Sequence, residues 1–251
     1  MKNLLFILPV AVLLSCSSPK KQANEEPSVS DPNELTGAWS ATWTDTDGIE
    51  KKAIAILTDG YISETVYTTD GLFLETFGGL WTVKKDTFNF TFEFNTADTT
   101  QVGKTKSFAY SIKGDTIDFP DDDRIWTRVD DGTPGELAGA WLITGRMRDD
   151  EISRWTPGVR KTMKILSGPR FQWIAYNTET TRFFGTGGGT YTTEDSTYTE
   201  NIRFFSRDSS RVGASLKFTF KLDSGEWHHS GFSSSGDPLY EIWTPRSMLE
   251  D

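Results

Sequence analysis

Glu200 and His229 are the side chains whose types could do chemistry in a largely apolar setting. A carboxylate and an imidazole can exchange a proton, or they can orient a bound molecule by charge and hydrogen bonding. Tyr198, Glu200, Ile202 and Phe204 fall on one side of an alternating run, and Trp227 and His229 on one side of another. Alternation of period two belongs to strands with one face in a core. Both groups are therefore expected to point inward among aromatics. A buried carboxylate is costly unless paired, so Glu200 and His229 could satisfy each other, with Tyr191 or Arg182 joining them. The candidate ligand-binding set is Glu200, His229, Trp227, Tyr191, Tyr198, Trp173 and Trp155. The competing reading is a polar pair satisfied inside a core, with no further role.

No nucleophile–base–orienter set accompanies them, so no catalytic residue is assigned and a non-enzyme is expected. His228 and His229 are adjacent, and neighbouring strand residues face opposite ways. With no cysteine cluster and no HExxH, neither metal nor cofactor is expected. "GTGGG" at 185–189 lacks the lysine and hydroxyl residue of a phosphate loop and reads as a β-bulge or sharp bend. "DDD" at 121–123 reads as a solvated hairpin turn, with a weak calcium contact conceivable.

The elements that must position these residues occur twice. "ELTGAWSATW" at 34–43 returns as "ELAGAWLITG" at 136–145, and four further stretches recur in the same order. They are "KAIAILTDG" with "KTMKILSGP", "FGGLWTV" with "GGGTYTT", "VGKTKSFAYSI" with "VGASLKFTFKL", and "IWTR" with "IWTPR". The alignment offset grows along the chain, which places extra residues of the second copy between 145 and 161 and near 233–239. Domain-sized copies are expected at 34–129 and 136–246, joined by a turn-rich linker at 130–135.

Within each copy the period is two. Phe88, Phe90, Phe92 and Phe94 alternate with polar residues, as do Leu216, Phe218, Phe220 and Leu222. In the second copy strands are expected near 138–146, 160–167, 170–176, 182–193, 197–206, 214–223, 226–233 and 239–245. The segment 146–159 is expected to be helical or irregular; Trp155 on it could cap a pocket or simply pack on the surface. About eight antiparallel strands in sequence, linked by short turns, predict an all-β fold of two tandem up-and-down barrels. A β-sandwich is the alternative. Aligning the copies sets Phe90 against Glu200, Ile117 against Trp227 and Phe119 against His229. The first interior thus reads as apolar and filled, and the second as the binding copy.

Net charge is −10, from 26 Lys+Arg against 36 Asp+Glu, which opposes binding to nucleic acid. Cys16 is the single cysteine, so an intrachain disulfide is impossible. Residues 1–15, "MKNLLFILPVAVLLS", carry a positive start and a short apolar run, as a secretory signal peptide does. The junction "LLSC" resembles the bacterial lipobox. That resemblance implies cleavage before Cys16 and acylation of its sulfur and new amine by palmitate-type chains, which anchor the protein in a membrane. Residues 16–33 after it are too polar to bury a core and read as a flexible tether.

The Gly-x-Trp openings, the glycine-rich middle before "TYTTEDSTYTENI" and "EWHHSG" before a closing "EIW" resemble small lipocalin-like domains of bacterial lipoproteins. The resemblance implies barrels with an apolar pocket, closed at the base by Trp39 and Trp141. The resulting expectation is a binding lipoprotein of the cell envelope, most simply of the outer membrane. It would hold a small apolar or amphipathic ligand mainly in the second barrel, and its partners would be the membrane and that ligand. The alternative is a structural or interaction lipoprotein with filled barrels and a protein partner.

Overall fold

The computed structural model describes residues 34–133, 135–233 and 236–249. The signal-like segment, Cys16 and the tether lie outside the described residues.

The first copy forms nine strand segments: β1 (Gly37–Thr44), β2 (Glu50–Thr58), β3 (Tyr61–Thr68), β4 (Phe73–Lys84), β5 (Thr87–Asn95), β6 (Thr105–Ala109), β7 (Ser111–Lys113), β8 (Thr116–Asp118) and β9 (Trp126–Arg128). All pairings are antiparallel and run β6-β5-β4-β3-β2-β1-β9-β8-β7. The two ends of that order, β6 and β7, are one strand interrupted at Tyr110, whose N–H is donated to the Asp86 carbonyl. Eight strands thus make the circuit, and one closure is made by chain continuity.

The second copy contributes β10 (Gly139–Arg148), β11 (Glu151–Arg154), β12 (Arg160–Leu166), β13 (Arg170–Asn177), β14 (Phe183–Glu194), β15 (Thr197–Phe205), β16 (Ser215–Asp223), β17 (Glu226–Phe232) and β18 (Pro238–Pro245). Here β10 pairs with β18 and closes the ring through backbone hydrogen bonds. The fold is therefore two tandem antiparallel barrels. The segment expected to be helical or irregular is instead a hairpin arm. β11 pairs back onto the end of β10, with Met147 opposite Ile152.

Duplication shows in detail. Trp39 and Trp141 each donate their indole N–H to a carbonyl four residues earlier, Leu35 and Leu137, both at 2.9 Å. Asp98 and Asp208 each cap a short 3₁₀ turn. Each copy carries a β-bulge opposite a glycine pair, Gly78/Gly79 on β4 and Gly188/Gly189 on β14. Glycine is required there: a Cβ on Gly79 would lie 2.0 Å from the Thr91 carbonyl oxygen, and one on Gly189 2.0 Å from that of Asn201. The bend expected of "GTGGG" is this bulge.

The bulge corrects one expectation. Phe88, Phe90 and Phe92 pack inside the first barrel, but the extra residue Glu93 turns Phe94 to the opposite face. Arg203 does the same to Phe204, so neither Phe94 nor Phe204 points inward. Both join a third core between the barrels, where Ile54, Ile56, Tyr61 and Tyr67 meet Met163, Ile165, Ile174 and Tyr176. A strand buried on both faces reads as an unbroken apolar run, as "AIAIL" at 53–57 does.

Polar groups fix the register of this interface. The Arg246 guanidinium donates both terminal nitrogens to Glu93, each at 2.6 Å, and Tyr176 adds its hydroxyl at 2.8 Å. Arg246 is 1% exposed. Burial pushes the Glu93 carboxyl up, but Arg246, Lys161 and Tyr176 outweigh it and hold it below the ordinary range. Thr76 and Thr186 each donate to a strand carbonyl, Glu64 and Trp173, at 2.6 Å; the Gln172 amide bridges these two equivalent threonines.

Candidate functional site

A large, mainly apolar cavity lies in the first barrel, which corrects the expectation that this interior is filled. Its volume is about 400 Å³, with Phe77, Phe88, Phe90, Phe92, Ile117 and Phe119 on its walls. Small-molecule sites span about 300–1,000 Å³ and combine apolar walls with a few polar groups.

A small side chain, Ala55, stands on the cavity wall. Ala41, Ala53 and Ala55 line the inner faces of β1 and β2. Ala55 faces Glu64 three rungs beyond Thr58–Tyr61 at the β2–β3 turn; in the second barrel, three rungs beyond Ser167–Arg170, Lys164 faces Trp173. A lysine thus fills one interior at the place where an alanine leaves the other open.

Polar groups gather at one end of the cavity. Glu64 on β3 is 6% exposed and accepts from Arg124 Nη1 at 2.7 Å. The same guanidinium donates Nε to Asp122 at 2.8 Å and places Nη2 2.8 Å from its other oxygen. Its flat faces lie over Trp43 and Trp126, at 5.3 and 4.8 Å from the ring centroids. Trp126 donates its indole N–H to Asp122 at 3.0 Å. Burial pushes the Glu64 carboxyl above its ordinary range despite the pull of Arg124. Burial acts against the charge on Arg124, but Glu64 and Asp122 overcome it and raise its pKa. Asp122 was expected in a solvated turn. It is part of this network, and the spacing Asp122, Arg124, Trp126 is a strand-like alternation that could have exposed it.

The second interior brings together most of the residues singled out in the sequence, but not as expected. Glu200 pairs with Lys164 at 2.8 Å, not with His229. His229 Nδ1 lies 3.5 Å from Glu241, too long for a good hydrogen bond, and Glu241 is held by Arg146. Burial, helped by Lys164, lowers the His229 pKa. Glu241 sits at about 2, because His229, Lys164 and Arg146 outweigh the upward push of burial.

Tyr191 packs at a tilt against Tyr198 but donates its hydroxyl to the Ser167 carbonyl at 2.6 Å. Arg182 is exposed beside Phe184 and does not join the cluster. Trp227 packs against Trp141, Tyr198, Trp243 and His229. Trp173 packs edge-on against Phe205 at 5.5 Å. Trp155 follows the hairpin arm, 42% exposed, with its backbone N–H donated to Thr144.

Lys164 Nζ is enclosed by rings, at 4.9 Å from Tyr198, 5.9 Å from Phe218, 4.7 Å from Trp227 and 5.3 Å from Trp243. The Tyr198 hydroxyl, both indole N–H groups of Trp227 and Trp243 and both His229 nitrogens have no hydrogen-bond partner among the described residues. Among those residues no group of three or more His, Cys, Asp or Glu is placed to hold a metal, and no helix is long and apolar enough to cross a membrane.

Residues 136–249, the second copy, match the family model described as a domain of unknown function, DUF4488. No curated protein matches the chain.

Proposed function

We propose that the protein is a lipid-anchored binding protein of the cell envelope that holds a small amphipathic molecule in its first barrel, with the second barrel as a packed scaffold. One observation carries the reading: a cavity of about 400 Å³ walled by phenylalanines with a charged group at one end. An eight-strand barrel is just large enough to enclose one small ligand. The packed rings around Lys164 in the second barrel favour a supporting role there, which reverses the roles expected from sequence.

The anchor rests on the "LLSC" junction at Cys16 and the polar tether after it. Two or more acyl chains would hold the protein stably at a membrane. Outer-membrane placement follows by resemblance, and the reading includes no catalytic step. The test is displacement of a fluorescent apolar probe, with native mass spectrometry of protein taken from its own host. Saturable binding that Ala55→Leu abolishes supports the proposal. A protein that excludes the probe and co-purifies with one protein partner supports the structural alternative.

A further inference from the structure

Resting on the reading of the first barrel as a ligand cavity, we propose that its polar end selects amphiphiles with a cationic head group, such as alkylamines, over alkyl carboxylates. Glu64, Asp121 and Asp122 line that end, and Arg124 is the one cation among the described residues lining the cavity. Arg124 is already engaged: Nε and Nη2 are on Asp122, Nη1 is on Glu64, and its faces are covered by Trp43 and Trp126. An incoming carboxylate would meet three like charges. To reach Arg124 it would have to displace Glu64 and leave that buried group unpaired, which is strongly unfavourable.

Glu64 is placed to accept a second cation. One of its oxygens takes the bond from Arg124, and the other has no hydrogen-bond partner among the described residues. Burial raises its pKa even beside Arg124, a sign that the carboxylate has too little positive charge around it. The aromatic wall, Phe77 and Phe90 included, can attract an ammonium through its ring faces.

The second barrel supplies an internal precedent. There the ammonium of Lys164 pairs with a buried carboxylate inside a ring of aromatics. In the first barrel the same place on the wall is Ala55, directly across the β2–β3 ladder from Glu64. Glu200 has Phe90 as its counterpart in the first copy, which instead offers Glu64 across the ladder from Ala55, with rings around it and no lysine at that place. A ligand's ammonium would stand where the second copy carries its own.

The experiment uses the two-barrel chain with Cys16→Ser, loaded with N-phenyl-1-naphthylamine. Dodecylamine, dodecanol and dodecanoate compete below their micelle concentrations. Dodecylamine should displace the probe at about one tenth of the dodecanoate concentration, a gap of about 1.4 kcal/mol, with dodecanol between them. Glu64→Gln should close the gap while probe binding persists. If that variant does not fold, Asp121→Asn at the exposed mouth should narrow it.

Dodecanoate binding as well as the amine, or a gap unchanged by these substitutions, overturns the head-group proposal and leaves the cavity reading standing. A probe that does not bind, or that no dodecyl compound displaces, overturns both.

Discussion

Arg246→Met tests whether the two barrels act as one folding unit. The substitution keeps an unbranched apolar chain in the interface and removes the charge that holds Glu93. Breaking a buried ion pair from one side costs about 3–5 kcal/mol, because the other charge stays buried. Tyr176 remains at 2.8 Å and Lys161 at 3.6 Å from Glu93, so the cost should fall at the low end, about 3 kcal/mol. For a chain of this size that is a drop in Tm of about 6–12 °C. The double variant Arg246→Met/Glu93→Leu removes both members of the buried pair while Lys161 keeps its partial exposure to solvent, and should recover to within about 1 kcal/mol of the parent.

Near-UV circular dichroism and calorimetry at neutral pH would read both variants. A single variant that loses less than about 1 kcal/mol, or a double variant as unstable as the single, would refute the argument that this pair ties the barrels together.

The same carboxylate sets an acid response. Its folded pKa is lowered, so its contribution is present above the unfolded value of about 4.3 and is lost as pH falls below it; Arg246→Met should flatten that part of an acid titration of stability. Ala55→Leu should fill the cavity and abolish probe binding with stability unchanged or raised by about 1–2 kcal/mol, since it buries apolar atoms in existing space; retained binding in a melt-stable variant would place the ligand elsewhere. Gly79→Ala forces a Cβ to 2.0 Å from a carbonyl oxygen at φ +157°, and should cost at least about 3 kcal/mol in urea unfolding. Cys16→Ser should move the protein from the membrane fraction to the soluble fraction of its host, read by immunoblot.

Much of the fold was legible in the sequence. Period-two runs such as Phe88 to Phe92 gave the strands, and the repeated Gly-x-Trp openings gave the duplication. What escaped has physical causes. A single inserted residue, Glu93 or Arg203, inverts the alternation after it, so Phe94 and Phe204 lie on the face opposite to the one a strict period of two predicts. Arg246 lies beyond the last strand, and its partner Glu93 is 153 residues away, a pairing that no local pattern encodes. The cavity is not encoded by polar residues: Ala55 stands on its wall where the second copy has Lys164, a signal of size and not of charge. Glu200 and His229 are buried, as their alternation implies; Lys164, which pairs with Glu200, and Glu241, 3.5 Å from His229, come from strands whose faces are set only by closure of the ring.

Closure by chain continuity gives the first barrel a mechanical gradient. β7 and β8 share three rungs and β8 and β9 two, whereas β2 and β3, against the neighbouring barrel, share eight. Local opening follows the density of such rungs. The outer wall, where Ile117 and Trp126 border the cavity, should exchange its amide protons long before the spine does. A guest could then come and go by a parting of that wall while the seam joining the two halves stays shut.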